Sequence, residues 1–510
     1  MNHMNQEMNL RYRKWTKEDS NKLFSDSRKV ISLEYPQFFF PIMSLYFYIH
    51  NSKNSHKRID FERNFYVNRI LDIVLERPYN SNMIVNCDTY QSNERLYEEK
   101  ELFCKSIPLI DPIHTILNNY NTYYHRNPFL PSNYSYNLQS KVNNMDNMAY
   151  IDVFCSFLLS ELTQKDVLPN FPIYYGSMNG LRDHKYDITE EFYEFEDHPE
   201  FTKLNEKTFS IDCYTDDVSD DKSSLRSSRS SRSSRSSKSS KSSKSSKSSR
   251  SSGSSASSNG DSYVANLKKC PTILLFMEKL EGTLEDVIQD DLSIDVLKSC
   301  IFQIAFALAY LQKHFAFTHN DLHINNIMYS ETDKTFIYYK FNNIYYKIPT
   351  YGKIFKIIDF GRSVLTFKKK LFLNDAFSKF GEAEGQYKYS SSVPFMPVKD
   401  GSEPSPYFDL CRLAITMLDE IRYNYDDEIE EVDDDELEEK YDDLIGFLKY
   451  VATDQNGVRL DKEDDNFKLY VKISKDAKNS HPRDIITHDY FSDYRIKKNM
   501  FPKKLFYSLA

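Results

Sequence analysis

The chain has 510 residues, 40% of them hydrophobic and 15% aromatic, enough apolar material for a large core and enough to exclude wholesale disorder. Its net charge of −9 excludes a protein that binds nucleic acid over its whole surface. The longest mostly apolar run, Phe38 to Ile49, is too short to cross a membrane and carries a proline, so no membrane partner is expected.

In chain order, Met1 to Glu7 does not resemble a signal peptide. Seven cysteines, an odd number with no C-x-x-C, point to free thiols in a reducing, intracellular compartment. Residues 1–95 read as an N-terminal extension to which no chemistry attaches. Within it, Asp60 to Glu76 places Phe61, Phe65, Val67, Ile70, Leu71 and Val74 at the spacing of an amphipathic helix.

Residues 223–258 form a repeat of Arg-Ser-Ser and then Lys-Ser-Ser. A period of three suits neither helix nor strand and nothing in it can be buried, so a disordered insertion over 205–262 is expected, placed at a surface loop. The tract is a solvated insertion, an arm for RNA or a protein partner, or a run of phosphorylation sites whose charge modification would reverse. It could also dock on the acidic run 426–443, which holds thirteen acids and one lysine. Thr272 to Met277 reads as a buried strand, and Asp295 to His314 as a core helix with almost no polar face.

Directly after that helix comes Phe317-Thr-His-Asn-Asp-Leu-His-Ile-Asn-Asn-Ile-Met328, and then an apolar strand, Ile354 to Ile358, ending in Asp359-Phe-Gly-Arg362. Asn326 and Asp359 are oxygen ligands of the kind Mg²⁺ takes while keeping phosphates in its shell. Asp321, five residues before Asn326, is a carboxylate able to orient a hydroxyl for attack on a phosphate. His481 and His488 have no ligand spacing.

His319-Asn-Asp-Leu-x-x-x-Asn326 resembles the H-R-D-L-x-x-x-N catalytic loop of the protein-kinase superfamily, and Asp359-Phe-Gly361 resembles its metal-binding D-F-G. The two Asp lie 38 residues apart, and a hairpin over Tyr329 to Phe355 is expected to absorb the excess length. Leu274 to Glu285 resembles the strand and hinge that bind adenine, with Met277 near the gatekeeper position and Glu278 to Leu280 offering backbone groups. Phe103-Cys-Lys105 resembles the strand lysine that steadies the α- and β-phosphates. Its carboxylate partner would lie on a helix over Met148 to Leu162, as Asp152 or Glu161; Asp152 fits the pattern of kinase-like proteins of large DNA viruses better. Tyr407-Phe-Asp-Leu-Cys-Arg-Leu413 resembles the helix whose Asp409 holds the catalytic loop's backbone.

The departures from the family are specific. The first glycine is Gly176, so no G-x-G-x-x-G loop precedes Lys105, and ATP must be held by other elements or not at all. Asn320 replaces the arginine that would pair with a phosphorylated activation loop. His323 replaces a lysine, as in haspin-like and some small-molecule kinases, and can hydrogen-bond a phosphate. No A-P-E is evident at Val393-Pro-Phe-Met-Pro or Glu403-Pro-Ser-Pro.

The resemblance implies an α+β, two-lobed kinase-like fold. Residues 96–281 would be a small sheet-plus-helix lobe carrying the insertion, and residues 282–510 a larger, mainly helical lobe. It implies ATP- and Mg²⁺-dependent transfer to Ser or Thr of a protein substrate, the tract 223–258 being one candidate in cis, in the cytoplasm (of a host cell, if viral). Asp321 and Asn326 are the catalytic candidates, Asn326 and Asp359 the metal ligands. Lys105, Asp152, Met277, Glu278, Leu280 and His323 are the nucleotide-binding candidates. The alternatives are a pseudokinase scaffold, a small-molecule kinase, or RNA or partner binding through the Ser/Arg arm.

Overall fold

The computed structural model describes residues 8–49, 55–119, 130–132, 141–196, 198–214, 262–290, 292–378, 381–387, 404–425, 440–441, 443–463 and 465–510. The architecture is mixed α+β. Helix α1 (Lys17–Val30) begins at Thr16, whose hydroxyl accepts from the Asp19 N–H. Then come β1 (Glu34–Gln37), β2 (Phe65–Glu76), β3 (Met83–Gln91), β4 (Leu96–Pro108), α2 (Met148–Gln164), β5 (Tyr174–Asp187), β6 (Phe209–Tyr214) and β7 (Ser262–Glu278). The strands make one seven-stranded sheet in the order β1-β5-β7-β4-β3-β2, with β6 on the distal half of β7.

The alternation of a strand divides this sheet between two cores. Leu274 and Phe276 pack with Trp15, Leu23 and Phe24 of the α1 side, while Leu275 and Met277 pack with α2. Lys105 lies on the α2 face, two residues from Ile107, which belongs to that core.

Two expectations are corrected. Residues 65–76 are strand β2, not an amphipathic helix. Register shifts at Val67/Arg69, Ile70/Asp72 and Ile73/Leu75 interrupt the period of two, so Val67 and Ile70, three apart, are both buried. Residues 209–214, expected within a disordered insertion, are a strand paired with Ser262–Leu267; the repeat 223–258 itself lies outside the described residues. No break in the sheet falls at 95/96, because β2 and β3 pair on to β4.

After β7 the chain forms β8 (Gly282–Thr283), α3 (Leu284–Asp290) and α4 (Ile294–Phe315), which is buried along nearly its whole length. β9 (Ile327–Glu331) pairs with β8 and with β12 (Lys353–Ile357). The intervening hairpin of β10 (Phe336–Phe341) and β11 (Ile344–Pro349) is flanked by Tyr507–Leu509 on one side and Arg495–Ile496 on the other. That second sheet explains the long separation of Asp321 and Asp359. Helices α5 (Phe408–Tyr425), α6 (Asp443–Val451) and α7 (Asn466–Asp476) follow. Most of the acidic run 426–443 and all of 388–403 lie outside the described residues.

Candidate active site

β4, α2, the loop after α4 and the end of β12 converge on a cleft of about 250 Å³. From β4, Lys105 Nζ reaches Asp152 Oδ2 of α2 at 2.6 Å and Asp359 Oδ1 at 2.8 Å. Glu161 instead pairs with Lys165 on its own helix at 2.8 Å. Burial alone would lower the Lys105 pKa, but the two carboxylates lift it above the ordinary lysine range. The carboxylates diverge. Burial raises Asp152, aided by the negative charge of Asp359, whereas Lys105 overcomes burial at Asp359 and holds it at about 2. Asp152 Oδ1 also accepts the Phe360 N–H at 3.0 Å, so α2 fixes the backbone beside Asp359.

The segment 319–326 is held from beneath. Asp409 of α5 accepts the N–H groups of His319 and Asn320, both at 2.9 Å. His319 Nε2 meets Ile358 O at 2.9 Å. Asn320 and Asp359 adopt left-handed backbone, with φ of 65° and 62°, a region that Asn and Asp enter more readily than most residues. Asn320 Oδ1 accepts from the Tyr387 hydroxyl at 2.6 Å, so a neutral hydrogen bond ties residues 381–387 to the loop where an arginine was absent.

Asp321 Oδ1 is gripped from two sides. The Tyr470 hydroxyl of α7 donates at 2.6 Å, and Arg362 Nη1 lies 3.3 Å away. Arg362 in turn reaches Glu382 at 2.9 Å. Burial would raise the Asp321 pKa, but Arg362 and the Tyr470 hydrogen bond bring it below the usual aspartate value. Among the described residues none donates to Oδ2, and Asp321 lines the cleft.

The Asn326 side-chain amide nitrogen contacts Asp321 O at 2.9 Å and His323 Nε2 at 3.1 Å, leaving its carbonyl oxygen without a donor among the described residues. Asp359 and Asn326 both line the cleft, so two hard oxygen donors face it. That donor set fits Mg²⁺ completed by phosphate oxygens and water. Among the described residues no three His, Cys, Asp or Glu gather to hold a metal by themselves.

The other candidates do not line this cleft. His323 is buried and absent from the cleft wall; its Nδ1 faces the Asn325 N–H at 3.3 Å. Its Nε2 lies 3.1 Å from the Asn326 side-chain nitrogen, and burial holds its pKa at about 4. Met277 and Leu280 are buried, and the Glu278 carboxylate turns to Lys356 at 2.6 Å and to the Ile173 N–H at 2.9 Å. The Glu278 N–H donates to Ile173 O. None of these three lines the cleft.

Sequence reasoning missed Arg362, Glu382 and Tyr470. Arg362 adjoins Asp359-Phe-Gly and could have been flagged as a charge beside a carboxylate. Tyr470, 149 residues from Asp321, had no local signal.

No family model matches the chain. Over 126 residues, 22% of the chain, it is 33% identical to a protein of Dictyostelium discoideum named "Probable serine/threonine-protein kinase". Over 87 residues, 16% of the chain, it is 38% identical to an uncharacterized protein of Invertebrate iridescent virus 6. These stretches span only 10% and 14% of the lengths of those two proteins, so the similarity is local: part of this chain is similar to part of a protein named as a kinase.

Proposed function

We propose that the protein is an ATP- and Mg²⁺-dependent kinase acting on Ser or Thr of proteins. Its fold would be two-lobed: the seven-stranded sheet with α2 as the small lobe, and α3 to α7 with their short sheets as the large lobe. The observation that carries this reading is the bridging of Asp152 and Asp359 by Lys105 at the edge of a cleft that Asp321 and Asn326 also line. In this reading Asp321 Oδ2 takes the proton from the substrate hydroxyl, whose oxygen forms the new bond to the γ-phosphorus as the bond to the β–γ bridging oxygen breaks and ADP leaves. Lys105 positions the phosphates, and Asn326 and Asp359 hold the metal. Bound Mg²⁺ supplies charge neutralisation on the phosphates. Positioning and electrostatics account for most of the rate. The local similarity to a protein named as a kinase supports the same class. A cytoplasmic setting and a cis substrate in 223–258 are parts of the proposal.

One observation favours a second reading, a nucleotide-binding scaffold without transfer: Asp321 Oδ1 is already engaged by Tyr470 and Arg362. The test is mass spectrometry of the full chain after incubation with Mg²⁺ and ATP, beside Asp321→Ala and Asp359→Ala. Phosphate on wild type alone supports the kinase. A rise in Tm with MgATP but no phosphate selects the scaffold.

A further inference from the structure

The turn between β2 and β3, residues 77–82, lies over the cleft, and Asn80 and Asn82 line it. It contains no glycine, and the Asn82 N–H is already taken by Asn80 Oδ1 at 3.0 Å. A phosphate therefore finds at Asn82 no free backbone amide of the kind a glycine-rich loop offers.

The turn is instead bonded to the far end of β5. Asn80 bridges Tyr186, the Lys185 N–H donates to Ser81 Oγ at 2.7 Å, and Arg182 Nη1 donates to Ser81 O at 3.2 Å. Asn82 Oδ1 accepts the Ser106 N–H at 2.9 Å, one residue beyond Lys105, which closes the connection back to β4. A register shift between Arg182 and His184 offsets this end of β5, which stays paired with β7 through Lys185 opposite Asn266 and Tyr186 opposite Ala265. Lys185, bonded through its N–H to that turn, lines the same cleft as Asp321, Asn326 and Asp359.

The charges in that wall are unevenly satisfied. Lys105 already has two carboxylates, Asp152 and Asp359, and Arg362 has two, Asp321 and Glu382. Lys185 is half-buried and, among the described residues, its ammonium has no ion pair or hydrogen bond. A polyphosphate entering the cleft meets in Lys185 a cation that needs to give up no existing partner.

We propose that Lys185, carried over the cleft by the bond between β5 and the β2–β3 turn, is the phosphate-contacting group that serves in place of glycine-loop amides. This rests on the nucleotide-binding reading above and adds to it the residue that compensates for the missing glycines. An ammonium on a flexible stem contacts a phosphate as a point charge, so the contact tolerates a turn that cannot itself approach the ligand.

The test is isothermal titration of the full chain with MgATP and with adenosine, in wild type, Lys185→Ala, Lys185→Arg and the surface control Lys207→Ala. The expected result is that Lys185→Ala weakens MgATP about tenfold or more, the value of one charge-assisted hydrogen bond. Adenosine affinity is unchanged, Lys185→Arg restores most of the loss, and the control is silent. Wild-type binding of MgATP with equal affinity in Lys185→Ala overturns this assignment and leaves the nucleotide site standing. Wild type that binds no MgATP overturns the nucleotide-binding reading and this assignment with it. A matching Tm for the variants without ligand shows that folding is not what changed.

Discussion

Tyr470 donates its hydroxyl to Asp321 Oδ1 at 2.6 Å, across 149 residues of sequence, and so fixes the orientation of a carboxylate that lines the cleft. Arg362 holds the same oxygen, leaving Oδ2, the atom proposed to meet the substrate hydroxyl, without a donor among the described residues. Arg412 lies 5.0 Å over the Tyr470 ring and steadies it in turn.

Tyr470→Phe keeps the ring and removes the donor. Turnover is expected to fall about tenfold, with KM for ATP unchanged, because an anchoring hydrogen bond to a charged group is worth about 1.5–3 kcal/mol and only part of it is lost on relaxation. The Tyr470 hydrogen bond helps keep the Asp321 pKa low, so the acid limb of the rate–pH profile should move to higher pH in the variant. A profile identical to wild type would show that Tyr470 is only a packing residue.

Asp152 and Glu161 sit on one helix and should behave oppositely. Asp152→Asn leaves Lys105 with one carboxylate in a buried setting and is expected to cost about 3 kcal/mol of stability, with a parallel loss of MgATP affinity. Glu161→Gln removes only a same-helix pair whose lysine is exposed, and should stay within about 0.5 kcal/mol. Paired chemical denaturation and MgATP titration check both. Equal effects of the two changes would contradict the assignment of Asp152.

His323 titrates at about 4 in the folded chain, against an ordinary value of 6.5. Its folded pKa is depressed, so its contribution to stability is complete above 6.5 and is lost as pH falls from there towards 4, to a total of about 3 kcal/mol. His323→Gln should flatten the stability–pH curve in that window. The transfer rate should show no inflection near 6.5 from this residue; a wild-type inflection there that vanishes in His323→Gln would contradict its burial as a neutral ring.

How much of this was legible in the sequence depends on distance along the chain. His319, Asp321 and Asn326 lie within eight residues, and Asp359 with Gly361 within three, so their spacing alone predicts their convergence once an apolar helix and strand flank them. The α4 helix was legible because its apolar run is long, and the preference for Asp152 over Glu161 agrees with the Lys105 contact. Strand β2 was not legible because three bulges give it a helical spacing of buried residues. Arg362, Glu382 and Tyr470 are joined to the site by contacts across 20 to 149 residues, and Lys185 reaches the cleft through the bond of β5 to a turn some hundred residues earlier in the chain, none of which local spacing shows. Met277 and Leu280 are buried and the Glu278 carboxylate pairs with Lys356, while the expectation for Glu278 to Leu280 concerned their backbone groups and not their side chains.

The most direct measurement is single-turnover transfer from γ-labelled ATP to a synthetic Arg-Ser-Ser repeat peptide, with wild type and Asp321→Asn at saturating MgATP. Removing a positioned general base typically costs 10²–10⁴-fold, so the variant should be slower by about that factor while its MgATP affinity matches wild type. Equal rates in the two proteins, or no transfer from wild type that demonstrably binds MgATP, would contradict a catalytic role for Asp321.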